Sequence, residues 1–349
     1  MKRFALVLIL VSLVVAGVCS EGTAGPKFKI AWSHYTGWEP WQLANHKQIL
    51  KKWAEKYGIE IELVLINDYV ESINLFTSGN FQGCAMTNMD ALTIPACGGV
   101  DSTALIVGDF SNGNDGIVLK KGSAVKDLKR REVKLVQLSV SHYLLARALE
   151  MNGMKEQDLT LVNTSDADIA AVFAADPNGA AVTWNPPLMQ CRNVKGAKLV
   201  FDSSGIPGEI IDLMVVKTDT PDTLKKALTG AWYETMKLMS DKSGAGKDAI
   251  QYMAKFAGGT DAEFRAQLAT TKMFYQPADS AQFARGDQLK KTMEYVRTFS
   301  FTHDLYPKGS DSKDYVGIQF PDGSVMGDEK NVKLRFNAQY MQMAADGKL

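Results

Sequence analysis

The chain has 349 residues, with 39 lysines and arginines balancing 39 aspartates and glutamates, and no basic tract long enough to track phosphates. That composition excludes a nucleic-acid partner as the first reading. The sparse cysteines lack any CxxC spacing, which argues against a disulfide framework and against a zinc site.

Lys2 and Arg3 precede an apolar run over 4–18, then small and polar residues through Ala24. This is the layout of a secretory signal peptide, so residues 1–24 are expected to be removed on export. A lipid anchor at Cys19 is the poorer reading, because Ala16-Gly17-Val18 ahead of it fit that site badly. No later stretch nears the roughly 20 apolar residues of a bilayer span. Roughly 325 remaining residues exceed one typical core, so two domains are expected. Cys84, Cys97 and Cys191 read as small core residues.

From residue 27 short β-rich runs alternate with helical stretches, the signature of an α/β fold with parallel strands. Strands are expected over 28–32, 59–66, 81–87 and 102–110, with helices over 41–57, 70–78 and 88–96 between them. A polar, glycine-rich break at 111–116 follows, and the grammar restarts. Strands at 133–138, 159–163, 179–184 and 197–202 alternate with helices at 141–152, 166–175 and 186–194. After a second break at 205–208 one more strand runs over 209–217. The remainder reads as helical, over 221–240, 245–256, 261–271 and 280–298, with a polar surface loop over 310–324. A helical tail without a sheet must pack on an earlier lobe. The expected division is 25–113 with 212–349 as lobe 1 and 114–211 as lobe 2, two Rossmann-like lobes joined by a two-strand hinge whose cleft can close.

Ligands of open α/β sheets bind beyond the carboxyl ends of the strands. Those ends carry SHYTGWEP, TNMDA, SVSHY and TWNPP, which hold Glu39 and Asp90 but no lysine or arginine. Two carboxylates among Tyr35, Trp38, Trp41 and Trp184 suit a cation, and Glu209 at the return crossing could add a third. Helix starts at Asn88 and Ser141 keep an anion open. Asp68, Asp166 and Asp168 read as helix caps, and Trp53, Tyr57 and Trp232 as core. His34 and His142 each stand in a Ser-His-Tyr triplet, but no GxSxG elbow accompanies them.

The segments DYVESINLFTSGNFQGCAMTN, LLARALEMNGM and VTWNPP resemble substrate-binding proteins of ABC importers, of the nitrate, sulfonate and taurine class, over nearly all of the chain past its leader. More narrowly, NDYVES, TNMDALTIPA, VGDFSNGNDGIV, LSVSHYLLARALE and NTSDADI resemble the branch associated with urea carboxylase. The resemblance implies a type II periplasmic-binding-protein fold, a monomer in the periplasm, a small-molecule solute and an ABC permease as partner, with no cofactor. By family pattern the cleft would be lined by Tyr35, Trp38, Glu39, Thr87, Asn88, Asp90, Ser141, His142, Trp184, Asn185 and Glu209. The carboxylates depart from an anion-binding pattern and favour a planar, nitrogen-rich solute such as guanidinium or urea. Sulfonate or nitrate binding is the alternative. An enzyme on the same fold, a pyrimidine-precursor synthase or a carbon-sulfur lyase acting through Cys84, is a further one.

Overall fold

The computed structural model describes residues 25–349. The expected leader and Cys19 lie outside the described residues. In chain order, β1 (Lys27–Trp32) leads to α1 (Glu39–His46) and α2 (Ile49–Lys56), β2 (Glu60–Leu65) to α3 (Tyr69–Thr77), and β3 (Gly83–Thr87) to α4 (Asn88–Ala91), a π-helical turn and β4 (Ser102–Ser111). The chain then crosses into β5 (Asp115–Leu119), β6 (Glu132–Leu135), α5 (Val140–Met151), β7 (Thr160–Asn163), α6 (Ile169–Ala175), β8 (Ala180–Trp184), α7 (Pro187–Asn193) and β9 (Lys198–Asp202). It returns through β10 (Ile211–Lys217) to α8 (Asp222–Ser240), α9 (Gly244–Phe256), α10 (Asp261–Ala269), β11 (Thr271–Met273), α11 (Pro277–Arg285) and α12 (Asp287–Thr302). Last come β12 (Gly317–Gln319), β13 (Val325–Met326), β14 (Val332–Phe336) and α13 (Gln339–Ala345).

One sheet has the order β13-β12-β14-β4-β10-β3-β1-β2 with β11 alongside β4, and the other has the order β7-β6-β8-β5-β9. Both are mixed, not parallel as the alternation suggested. The strands that carry the chain across are the reversed ones: β10 is antiparallel to β3 and β4, and β5 to β8 and β9. Because β10 lies between β3 and β4, the outgoing and returning strands are neighbours. No helix among the described residues is long and apolar enough to cross a membrane.

Three local expectations are corrected. The single helix over 41–57 is two, α1 and α2, with Gln48 left-handed at φ 59° between them. The apolar periodicity lapses over the polar run Asn45-His46-Lys47-Gln48, so no buried face carries the helix through. The segment 280–298 likewise breaks at Gly286 into α11 and α12. The tail is not sheetless, and 310–324 is not only a surface loop. Val316, Ile318 and Phe320 alternate inward, each under 4% exposed, and β12 pairs with β14, which pairs with β4.

The long helix α8 seals the first sheet through Trp232, which packs on Trp41 at 4.9 Å. Gly230 in α8 faces Trp53 of α2, and a Cβ there would lie 2.4 Å from the indole. Trp53 is held by its Nε1–H, which donates to Glu234 at 2.8 Å. Gly230→Ala, which gains about 1 kcal/mol of helix propensity, is therefore expected to destabilise the protein by about 1–3 kcal/mol through overpacking. Urea unfolding at constant m-value measures this, and an unchanged or raised midpoint would show that Trp53 yields.

Candidate functional site

A small cavity, about 10 Å³ in volume, lies between the two sheets and is lined by Tyr35, Trp38, Tyr69, Thr87, Asp115, Val140, Trp184, Ile210 and Asp212. Larger grooves run along α8 and α13 and between α5 and α12, away from the strand ends. The cavity wall is assembled from both lobes. Tyr35 and Trp38 come from the β1–α1 loop, Tyr69 is the first residue of α3, and Thr87 caps α4. Asp115 opens β5, Val140 opens α5, Trp184 ends β8, and Asp212 lies in β10.

Four rings form a continuous wall. Centroids are 5.0 Å apart for Tyr35–Trp38, 5.5 Å for Trp38–Tyr69 and 5.4 Å for Tyr69–Trp184. The Trp184 indole donates to the His34 carbonyl at 3.2 Å, which joins the lobes over the cavity. Tyr69 N–H reaches Asp166 at 3.3 Å, and Ser165 Oγ reaches Asp68 at 3.3 Å. Asp68 caps α3 as expected, accepting from Glu71 N–H. Asp166 instead serves the other lobe's helix, and Asp168 makes no cap bond.

Against this wall stand four buried carboxyl groups: Asp90, Asp109, Asp115 and Asp212, none above 2% exposed. Tyr69 OH and Thr87 Oγ1 donate to Asp90 Oδ2 at 2.6 and 2.7 Å, and Tyr35 OH donates to Asp109 Oδ1 at 3.0 Å. One oxygen of each acid keeps no hydrogen-bond partner. Among the described residues no lysine, arginine or histidine pairs with any of the four. Burial is the leading cause that raises their pKa values, Asp90 to about 6 and Asp109 and Asp115 to about 7. Asp212 is held well above the usual range by burial and then by repulsion from Asp109 and Asp115. Asp109 and Asp212 are cross-strand partners, and an extra β4 residue, Gly108, shifts the register immediately beyond them.

Of the expected site residues, Tyr35, Trp38, Thr87 and Trp184 line the cavity, and Asp90 stands behind Thr87 and Tyr69. Glu39 is buried but outside the wall: its Oε1 lies 2.7 Å from His34 Nδ1, and burial pushes its carboxyl up more than His34 draws it down. Glu209 is fully engaged elsewhere, by Tyr143 OH at 2.5 Å and Arg147 at 2.9 and 3.1 Å. The Asn88 amide holds the Glu209 carbonyl and the Ile211 N–H, fixing the start of β10. Asn185 bonds Asn114 at the outgoing crossing. Ser141 Oγ is buried and without a partner. His142 turns away: its Nδ1 accepts from Leu138 N–H, and its Nε2 lies 3.0 Å from Glu156, as does Nε2 of His303.

Sequence reasoning missed Tyr69, Asp109, Asp115 and Asp212. A usable signal was present: Asp109 and Asp212 each interrupt a strand that is otherwise apolar, VGDF and IIDLMV, and an acid buried on such a strand needs a partner.

The family model described as NMT1/THI5 like matches residues 49–229. No curated protein matches the chain. The alkanesulfonate-binding protein of Xanthomonas axonopodis pv. citri bound to MOPS is similar at TM-score 0.66, with 19% identity over 82% of this chain and 96% of that one. The periplasmic aliphatic sulphonate binding protein of Escherichia coli is similar at 0.64, with 18% identity over 81% and 94%. The periplasmic nitrate-binding protein of Synechocystis PCC 6803 is similar at 0.59, with 13% identity over 93% and 99%. The architecture is thus the mixed α/β, two-lobe periplasmic-binding-protein fold, and the chain belongs to the NMT1/THI5-like family.

Proposed function

We propose that this protein is the exported, periplasmic solute-binding component of an ABC importer, taking a small planar cation of the guanidinium or amidinium type and delivering it to a membrane permease. The two lobes, 25–113 with 212–349 and 114–211, would close as bodies on that solute. The observation that carries the reading is the set of four buried carboxyl groups, each with an unpartnered oxygen, beside a wall of four aromatic rings. Carboxylates accept paired N–H bonds from a planar cation, and ring faces attract its charge. The cavity is closed down to about 10 Å³ in this conformation, so a solute of a few heavy atoms would enter by a small separation of its walls.

The anion reading draws on the sulfonate- and nitrate-binding structures of the same fold and on Val140, the first residue of α5, in the wall. Against it, the Val140 N–H already acts on the Asp90 carboxyl. Cys84, the nucleophile of the enzyme reading, is fully buried against Ser72, and burial pushes its thiol up to about 12. Such a thiol is a poor nucleophile.

Thermal melting against guanidine, small amidines, urea, taurine, an alkanesulfonate and nitrate tests the choice of charge, since a ligand of the folded state raises the midpoint. Guanidine or amidines are expected to raise it, and a rise with the anions alone would reverse the reading. Asp115→Asn is expected to weaken guanidine binding about 10- to 100-fold, whereas Glu39→Gln should change it only about 2- to 3-fold.

The acids also set a pH dependence. A carboxyl whose folded pKa is raised contributes stability that is full below its unfolded value and is lost as pH rises through the folded one. For Asp90, Asp109 and Asp115 that loss begins above about pH 4 and is complete once pH has passed about 6 for Asp90 and about 7 for Asp109 and Asp115. His303 acts in the same direction: burial lowers its pKa, but Glu156, the Phe299 carbonyl and Asp304 together raise it above its ordinary value. The solute-free protein should therefore melt lower at about pH 8 than at about pH 5.5. Saturating guanidine should narrow the gap, and a solute-free midpoint that rises with pH would contradict the assignment.

A further inference from the structure

Asp109 on β4 and Asp212 on β10 are cross-strand partners, both fully buried, each with one carboxyl oxygen that has no partner, and each carboxyl shifts the titration of the other. Two adjacent carboxylates buried without a cation repel each other, which favours one proton held on the pair. Tyr35 OH already donates to Asp109 Oδ1, and the unpartnered oxygen of each acid is Oδ2. The groups facing the pair can be taken element by element. The β1–α1 loop presents Tyr35, β5 presents Asp115, and Tyr275 follows β11. From β3 the register partner of Asp212 is the uncharged Thr87, behind which stands Asp90, and Asp90 acts on Asp115. None of these is a cation. Positive charge in the solute-free cleft therefore comes from protons.

We infer, resting on the cation reading above, that the Asp109–Asp212 pair is the charge-selecting element of the cleft: it holds one shared proton when no solute is bound and gives it up to a bound cation. In the exchange the acid O–H bond breaks, the proton passes to the solvent buffer, and the cation, bonded to Asp212 in the cavity wall, compensates the charge of Asp212 and of Asp109 behind it. The charge enclosed by the cleft is the same before and after, so closure on the cation adds no uncompensated charge to a buried site. A neutral solute of the same shape cannot make this trade. Urea would have to bind over the protonated pair, whose O–H offers a donor where guanidinium and urea both present N–H. The pair thus separates a cation from its neutral isostere, a task that shape and ring stacking cannot perform. The raised pKa of Asp109, about 7, places the exchange near neutral pH.

Calorimetric titration of the intact protein with guanidine, in buffers of different ionisation enthalpy at about pH 6 and about pH 8, reads the proton directly. The expected result is release of on the order of one proton per guanidinium at the lower pH. The dissociation constant should weaken by up to about tenfold per unit of falling pH, with urea bound far more weakly throughout. Asp212→Asn puts an amide donor where the shared proton stood, without a titrating group. It should keep the wild-type melting behaviour near pH 6, bind guanidine more weakly, and lose most of the proton release and pH slope. Guanidine binding to the wild type with no proton release and a flat pH profile would overturn the exchange while leaving the cation reading standing. Failure of every cation to bind at either pH would overturn the reading itself. Should Asp212→Asn not fold, Asp109→Asn serves the same comparison, and undiminished proton release in the folded variant would remove the pair from the role.

Discussion

The constraint on which this structure turns is buried negative charge without a built-in partner. Asp90, Asp109, Asp115 and Asp212 gather where the chain passes between its lobes, sealed under aromatic rings and strand backbone. Elsewhere the protein follows the usual rule for carboxylates. Glu209 is clasped by Arg147 and Tyr143, Glu156 lies between two imidazoles that help hold its pKa near about 2, and Asp322 is paired with Lys290. Leaving four acids unpaired inside the fold is destabilising unless something from outside completes them, and a proton or a cationic solute can do so.

Two of the contacts between lobes share one form, in which a carboxyl group of one lobe meets the start of a helix in the other. Asp166 of the second lobe accepts from Tyr69 N–H at the head of α3, and Asp90 of the first faces Val140 N–H at the head of α5. Helix starts attract negative charge, so each position favours the acid that faces it. Both helix heads adjoin the cavity through Tyr69 and Val140. Opening the lobes would expose both acids to water, which makes the closed and open states differ in their demand for charge and not only in shape.

The architecture was legible in the sequence because alternation of apolar runs and amphipathic stretches is imposed by packing alone. The strand ends followed from it, and with them Tyr35, Trp38 and Trp184 of the aromatic wall. What escaped was information that no local pattern carries. Asp109 and Asp212 are remote in the chain and become partners only through insertion of the returning strand β10 between β3 and β4. Glu209 looked available until the fold brought Arg147 to it, and His142 looked like a cleft residue until α12 supplied His303 beyond Glu156. The β12 segment was hidden by its flanks, since three alternating apolar residues amid Gly, Asp and Ser resemble a loop until β14 offers them an edge.

The placement of the acids on the crossing strands has a mechanical meaning. Asp109 and Asp115 flank the departure of the chain, and Asp212 follows its return, so the solute would sit at the fulcrum and not between the tips of the jaws. The distant contacts, Asn193 with Glu263 and Glu156 with His303, lie out along the levers. A load applied at a pivot moves little itself but sets a large arc at the rim. A solute of a few atoms could in this way govern the separation of two whole lobes, and the outer faces that a membrane partner would meet would report on an event at the axle.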